Sequence, residues 1–369
     1  ADYFENIYVL VRYKPVAEIS RILPLRYLRF HQKRWAINLL NKPNNVHVFP
    51  VPIFYLPFKR SYLQLGDRLL KKAKSIIKQR SIKFDLIHAH YFWTSGYVAV
   101  KLKEDYHIPI VVTNHSTHQL TKYMSRNSEW KKKMTDTISS ADYIFVVNNF
   151  MKERVHNIDK NSKVDVIPAG FNENIFYPIK KEIAREKLGL SIKDRIILNI
   201  SSLDDNKNLE LFIKGISIIL PKFPKLRGYI IGDGPNFKKL RNLITELGVG
   251  DKIQLIGALP HQAINQWINA SDFVALCSFI EGSPTVMYET LACGRPFLGS
   301  AVGGIPEVIN ARDYGCVFNP HKLDEFILRL KFMLKQDWSD QKIIDYSTKF
   351  SQKSLSKKIL TVYNSLLPK

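Results

Sequence analysis

The chain has 369 residues, 45% hydrophobic and 24% charged, an ordinary globular composition and enough length for two domains with separate cores. Its three cysteines, Cys277, Cys293 and Cys316, are odd in number and lie outside any Cys-x-x-Cys or His/Cys cluster, which argues against a disulfide framework or a zinc module and for buried thiols in a reducing compartment. The charge of +22 is uneven: 28 Lys/Arg face 13 Asp/Glu over residues 1–170, against 27 and 20 over residues 171–369.

Residues 1–15 carry no secretory-leader pattern, and no apolar run in the chain nears the ~20 residues of a membrane span. Apolar runs predict strands at Ile7–Val11 and Val46–Val51. Between them, residues 21–35 interleave Arg21, Arg26, Arg29, Lys33 and Arg34 with Tyr27, Phe30 and Trp35, and residues 68–83 read as a basic amphipathic helix. Basic heads beside Trp, Tyr and Leu suit an anionic membrane surface, at about 1 kcal/mol per cation. A solvated face is the plainer account. No nucleic-acid-binding motif accompanies the charge, so no nucleic-acid partner is expected.

Four more strands are expected at Asp85–His88, Ile110–Thr113, Tyr143–Val147 and Val164–Ile167. The stretch from Val166 to Pro178, punctuated by Pro168, Gly170 and Pro178, then reads as a domain boundary. Beyond it come strands at Ile196–Ile200, Arg227–Ile231, Ile253–Ile256, Phe273–Leu276, Pro296–Gly299 and Cys316–Phe318. Helical patterns at Leu209–Leu220, Phe237–Leu247, His261–Ala270 and about Tyr346 to Leu367 complete the second half. Alternating β and α segments imply parallel sheets covered on both faces. Twelve strands exceed one compact sheet, so two α/β units are expected, residues 1–170 and 171–345, followed by a C-terminal helix over 346–369.

The run EGSPTVMYETLACGRP (Glu281 to Pro296) is the most informative segment. It reads as an acidic loop, a helix capped by Ser283 with Pro284 in its first turn, a stop at Gly294 and a strand after Pro296. Free N–H groups at Thr285 and Val286 would attract phosphate through their unpaired donors and the helix dipole. Glu281 precedes that terminus and Glu289 lies within two turns of it. Two carboxylates flanking an anion hole suit a phosphorylated polyhydroxyl ligand, such as a nucleotide sugar.

With GGIPE (Gly303 to Glu307) following, this run resembles the signature of retaining GT-B glycosyltransferases, specifically glycosyltransferase family 4, also described as glycosyl transferases group 1. The resemblance implies an α/β fold of two Rossmann-like domains facing a cleft. The first would bind the acceptor and the second a nucleotide-sugar donor, and the last helix would cross back onto the first domain. It assigns catalytic roles to His115, at the end of a strand in IVVTNHST, and to Glu281, which would contact the transferred sugar. Donor binding falls to Lys207 at the diphosphate, Glu289 at the ribose, Gly232 and Gly234 in IGDGP, and Ser283, Thr285 and Val286. His118 competes with His115, and His88 and His90 are expected to shape the acceptor side or to pack locally. Residues Ala258–Pro260 would lie near the base. No metal or other cofactor is implied.

Two departures from the family pattern stand out. Ser202 occupies a position that in the family often holds a phosphate-binding arginine. The chain opens on what reads as the family's second strand, without a first strand and glycine-rich loop. Expected partners are the nucleotide-sugar donor, a glycan or lipid-linked acceptor and an anionic membrane surface, with a cytoplasmic or peripheral inner-face location. A catalytically silent relative acting as a scaffold is the alternative.

Overall fold

The computed structural model describes residues 3–13, 42–53, 63–115 and 128–368. The basic aromatic stretch 21–35 and His118 lie outside the described residues. In the first half the elements are β1 (Ile7–Tyr13), β2 (Val46–Pro52), α1 (Leu65–Gln79), β3 (Ile87–His90), α2 (Tyr97–Tyr106), β4 (Ile110–Asn114), α3 (Ser128–Ser140), β5 (Tyr143–Val146), α4 (Asn149–His156) and β6 (Val164–Val166). Next come α5 (Lys181–Leu188), β7 (Arg195–Ile200), α6 (Leu209–Ile219), β8 (Leu226–Ile231), α7 (Phe237–Glu246), β9 (Ile253–Gly257), α8 (His261–Ala270) and β10 (Phe273–Leu276). The chain ends with α9 (Thr285–Ala292), β11 (Phe297–Ser300), α10 (Ile305–Val308), β12 (Gly315–Phe318), α11 (Leu323–Lys335), α12 (Asp340–Ser347) and α13 (Gln352–Leu366). All twelve strands expected from the sequence are present.

Strands β7 to β12 form one parallel sheet in the order β12-β11-β10-β7-β8-β9. This is the doubly wound arrangement, with its switch point between β7 and β10, where the outgoing loops diverge and leave a crevice. Its strands are continuous apolar runs because both faces are covered. One face buries Ile197, Phe212, Ile216 and Phe326, the other Leu198, Met287, Leu291 and Phe297.

The first-half strands form two parallel sheets, β3-β4-β5-β6 and the pair β1-β2. The four-stranded sheet buries Ile110, Val112, Ile144 and Val146 on one face. On the other, Val111, Phe145 and Ile167 meet Leu355 and Val362 of α13. Removing a leucine such as Leu355 from this contact would cost about 2–4 kcal/mol.

The last helical region differs from the single helix read from the sequence. It is two helices with a short turn between them, because Ser347–Ser351 bends where the chain leaves one half for the other. Tyr346 of α12 donates to the Val308 carbonyl in the second half at 2.6 Å, while α13 lies on the first-half sheet. At this crossing the outgoing linker and the returning chain touch: Phe171 N–H donates to Phe350 O at 3.2 Å and Gln352 N–H to Phe171 O at 2.9 Å.

Helix α1 starts and ends a few residues before the span read from the sequence. Its apolar stripe, Leu65, Leu69, Ala73 and Ile77, is buried with Val51, Ile53, Val98 and Leu102. The core thus consumes the face that a membrane-inserting helix would need free, and leaves Lys71, Lys72, Lys78 and Arg80 on the solvent side. No helix among the described residues is long and apolar enough to cross a membrane.

Candidate active site

Three loops leave the carboxyl ends of β7, β8 and β10 at the switch point, and backbone bonds tie them together. Gly232, in the loop after β8, has φ +148°, and a Cβ there would sit 1.8 Å from the Ser201 carbonyl oxygen. Only glycine tolerates that backbone and that approach. Leu203 N–H donates to Asp233 O at 3.0 Å, and a Cβ on Gly234 would lie 2.5 Å from Leu203 O. Gly232 and Gly234 therefore admit the neighbouring loop of the protein itself at this end of the sheet.

The loop after β7 is joined in turn to the loop after β10 through Asn206. Its side-chain amide donates to Ile280 O at 2.9 Å and accepts from Ile280 N–H at 3.0 Å, and its carbonyl accepts from Phe279 N–H at 2.8 Å. This junction brings Lys207 and Glu281 together. Lys207 Nζ lies 2.6 Å from Glu281 Oε1, with side chains 19% and 11% exposed, so the pair is sheltered from solvent screening. The cation expected at a diphosphate and the carboxylate expected at a sugar thus share one spot. Ser202 Oγ donates to Asp204 Oδ2 at 2.6 Å and stays within its own loop.

Helix α9 begins at Thr285, with Pro284 at the cap position and no side-chain cap bond. Ser283 does not cap it. A residue before proline is pushed toward extended backbone, and the Ser283 hydroxyl meets Tyr288 Oη at 2.6 Å and accepts from Ala169 N–H at 3.3 Å. The N–H groups of Thr285 and Val286 have no acceptor among the described residues, as first-turn donors lack helical partners. Glu289, one turn on, is 6% exposed. Burial raises its pKa, an effect opposed by the bond of its Oε1 to His261 Nε2 at 2.9 Å. His261 opens α8 immediately after Ala258–Pro260 and packs edge-on against Phe176.

The first half closes on this loop from the opposite side. A Cβ on Gly282 would lie 3.3 Å from the His115 carbonyl oxygen, which places the end of β4 against the Glu281 loop. Asn148 Nδ2 donates to Gly282 O at 2.8 Å while its Oδ1 caps α4 through Met151 N–H at 2.9 Å. The Glu307 carboxylate accepts from Asn149 N–H at 2.9 Å and from Asn149 Nδ2 at 2.8 Å, at the positive end of α4. His115 Nε2 meets His90 Nδ1 edge to edge at 2.9 Å, and His90 stacks on His88. Burial, then the neighbouring imidazoles, hold His88 down to about 3, and burial and His90 hold His115 down to about 4. All three rings are within one face of adjacent strands, since residues two apart in a strand point the same way.

Residues 26–174 match the model of "Glycosyltransferase Family 4" and residues 180–350 that of "Glycosyl transferases group 1". The chain belongs to glycosyltransferase family 4. Among curated relatives it is 26% identical over 258 residues to the D-inositol 3-phosphate glycosyltransferase of Thermobispora bispora, covering 65% of this chain and 60% of that protein. It is 24% identical over 314 residues to the enzyme of that name from Corynebacterium glutamicum, covering 79% of this chain and 75% of the relative. The match to the first relative spans less than two thirds of its length. Among solved structures, sucrose-phosphate synthase from Thermosynechococcus elongatus superposes with a TM-score of 0.75 at 16% identity, covering 98% of this chain and 99% of that one. Anabaena Alr3699/HepE in complex with UDP-glucose superposes at 0.67 and 18%, covering 98% and 100%. The fold of this family 4 chain is GT-B, two parallel-sheet Rossmann-like units.

Within this fold Lys207, Glu281, Ser283, Thr285, Val286 and Glu289 lie on two adjoining loops and one helix, with Gly232 and Gly234 behind them. His115 is across the cleft, beside Gly282. Asn206, His261, Asn148, Asn149 and Glu307 were not singled out as site residues from the sequence. Asn206 is the immediate neighbour of Lys207, and Asn148–Asn149 follow a strand end, positions where polar residues in an α/β sheet serve sites. Among the described residues no group of three or more His, Cys, Asp or Glu is placed to hold a metal ion.

Proposed function

We propose that the protein is a retaining glycosyltransferase that moves a sugar from a nucleoside-diphosphate donor to a hydroxyl acceptor. The observation that carries this reading is the meeting of the Lys207–Glu281 pair with the open N-terminus of α9, across from His115. A donor diphosphate entering there would take Lys207 and the Thr285 and Val286 N–H groups, which stabilise the charge that develops on the leaving group. Glu281, released from Lys207, would then accept from the sugar's hydroxyls, and Glu289 from the ribose. The acceptor hydroxyl would pass its proton to the departing diphosphate oxygen on the same face, so the reaction calls for no protein base and no metal.

A UDP-sugar is the donor we favour, because the solved relative carries UDP-glucose. The curated relatives are named for a phosphorylated inositol acceptor. A phosphorylated or lipid-linked acceptor at an anionic membrane surface agrees with the basic first half. The protein would then be cytoplasmic and peripheral, working in glycan assembly.

A thermal-shift screen of UDP-, GDP- and ADP-sugars, followed by product analysis in EDTA, tests the reading. It expects one base to raise the melting temperature, turnover to survive EDTA, and the anomeric configuration to be kept. A scaffold without chemistry is the second reading, favoured by Ser202 and by the neutralised Lys207. Hydrolysis of any nucleotide sugar removes it. Equal binding to neutral and anionic vesicles removes the membrane role.

A further inference from the structure

We propose that His90 is a positioning residue for His115, holding the Nε2 edge of that ring so that Nδ1 is the nitrogen left to face a sugar in the cleft. The inference rests on the reading of His115 as a cleft residue. His90 Nδ1 lies 2.9 Å from His115 Nε2, and the two rings meet edge to edge, centroids 5.1 Å apart and planes 19° apart, as an in-plane N–H···N bond requires. Behind His90, the His88 ring stacks at 4.8 Å and 23°. Both nitrogens of His88 are engaged, Nε2 with Thr113 Oγ1 at 2.6 Å and Nδ1 with the hydroxyl of Tyr363 on α13. The stack therefore runs from the last helix of the protein to the cleft, and its inner member cannot turn.

Strand geometry explains the arrangement. His88 and His90 share one face of β3. Thr113, paired with His90 in the register, shares that face on β4, and His115 is two residues further on. Two neutral imidazoles joined by one N–H···N bond contain one donor and one acceptor in that bond. Fixing which ring donates also fixes whether Nδ1 of His115 is an N–H or a lone pair, hence whether it gives or takes a hydrogen bond with a sugar hydroxyl. The other titratable groups facing the stack are Tyr91, edge-on to His115, and Tyr363, and no carboxylate pairs with it among the described residues. Partial desolvation and the neighbouring His90 lower the pKa of His115 although its ring is exposed, so this bond, rather than charge, ties the tautomer of His115 to that of His90.

The test uses the full chain with ¹⁵N-labelled histidine and reads the imidazole nitrogens of His115 by long-range ¹H–¹⁵N correlation. One neutral tautomer is expected in the parent. His90→Phe, which keeps an aromatic ring and removes the bond, should return His115 to a mixture of tautomers, and His90→Asn should restore the single form. Tyr363→Phe, a change remote from the cleft, should give a smaller shift in the same direction. Unchanged His115 signals in both His90→Phe and Tyr363→Phe would overturn the proposal. In parallel, UDP-glucose hydrolysis should show kcat about tenfold lower in His90→Phe with KM within threefold, recovering in His90→Asn. A protein that never turns over UDP-glucose but still shows the nitrogen shifts supports the positioning role and fails the donor reading. Turnover with no tautomer change does the reverse.

Discussion

On the second-half side of the cleft, the loops after β7, β8 and β10 are joined chiefly through backbone groups, Gly232 against Ser201, Leu203 to Asp233 and Asn206 O to Phe279, with the Asn206 side chain adding two bonds to Ile280. On the first-half side, the His115 ring is held by one imidazole bond and the edge of Tyr91, and Asn148 and Asn149 reach across as single residues. Backbone junctions fix where a phosphate and a ribose would sit regardless of the sugar. Side-chain junctions can be re-cut by substitution without rebuilding a loop. On the proposed reading, that division would pair a fixed nucleotide grip with an adjustable acceptor wall.

The contrast can be broken most severely at Gly232. Gly232→Val would drive a side chain into the Ser201 carbonyl, and urea unfolding should show a loss of about 3 kcal/mol or more. A loss under 1 kcal/mol would mean the junction is soft. Next comes chemistry: Glu281→Gln should lower donor hydrolysis about 100-fold while nucleotide affinity stays within a few-fold. Equal rates would remove Glu281 from the site. Asn206→Ala leaves the Ile280 N–H and C=O without partners and should cost about 2 kcal/mol in a melting experiment. By contrast Glu307→Gln, at the side-chain junction with Asn149, should cost about 1 kcal/mol and speed hydrogen exchange at the Asn149 amide.

The smallest expected effect is the pH response of the histidine stack. The folded pKa values of His88 and His115 lie below the ordinary value of 6.5. The unfolded chain therefore binds more protons between pH 6.5 and about 3, and stability is present above 6.5 and falls as pH drops through that window. His115→Asn should flatten the slope of unfolding free energy against pH. An unchanged slope would show that the stack titrates normally.

Most strands were legible because they are apolar runs set between turn-forming or polar residues, and the sheets bury both faces. Ser283 was misread because the cap pattern ignores how Pro284 redirects the residue before it. Asn206 bonds Ile280 across 74 residues, Asn148 bonds Gly282 across 134, and His261 bonds Glu289 across 28. Such pairings leave no local periodicity, so a linear reading finds the loop that bears Glu281 and misses what holds it still. His90 was visible as a strand-end residue, but its partner came from a neighbouring strand.

Both polypeptide passages between the halves run side by side at Phe171 and Phe350–Gln352. Two strings sharing one edge act like a door hung on a single pin. Any gape of the cleft becomes a swing about that line, and the grasp of Asn148 on Gly282 and of Asn149 on Glu307, set off the pin, must let go first. Opening of the cleft and loosening of the contacts among those four residues are then the same event.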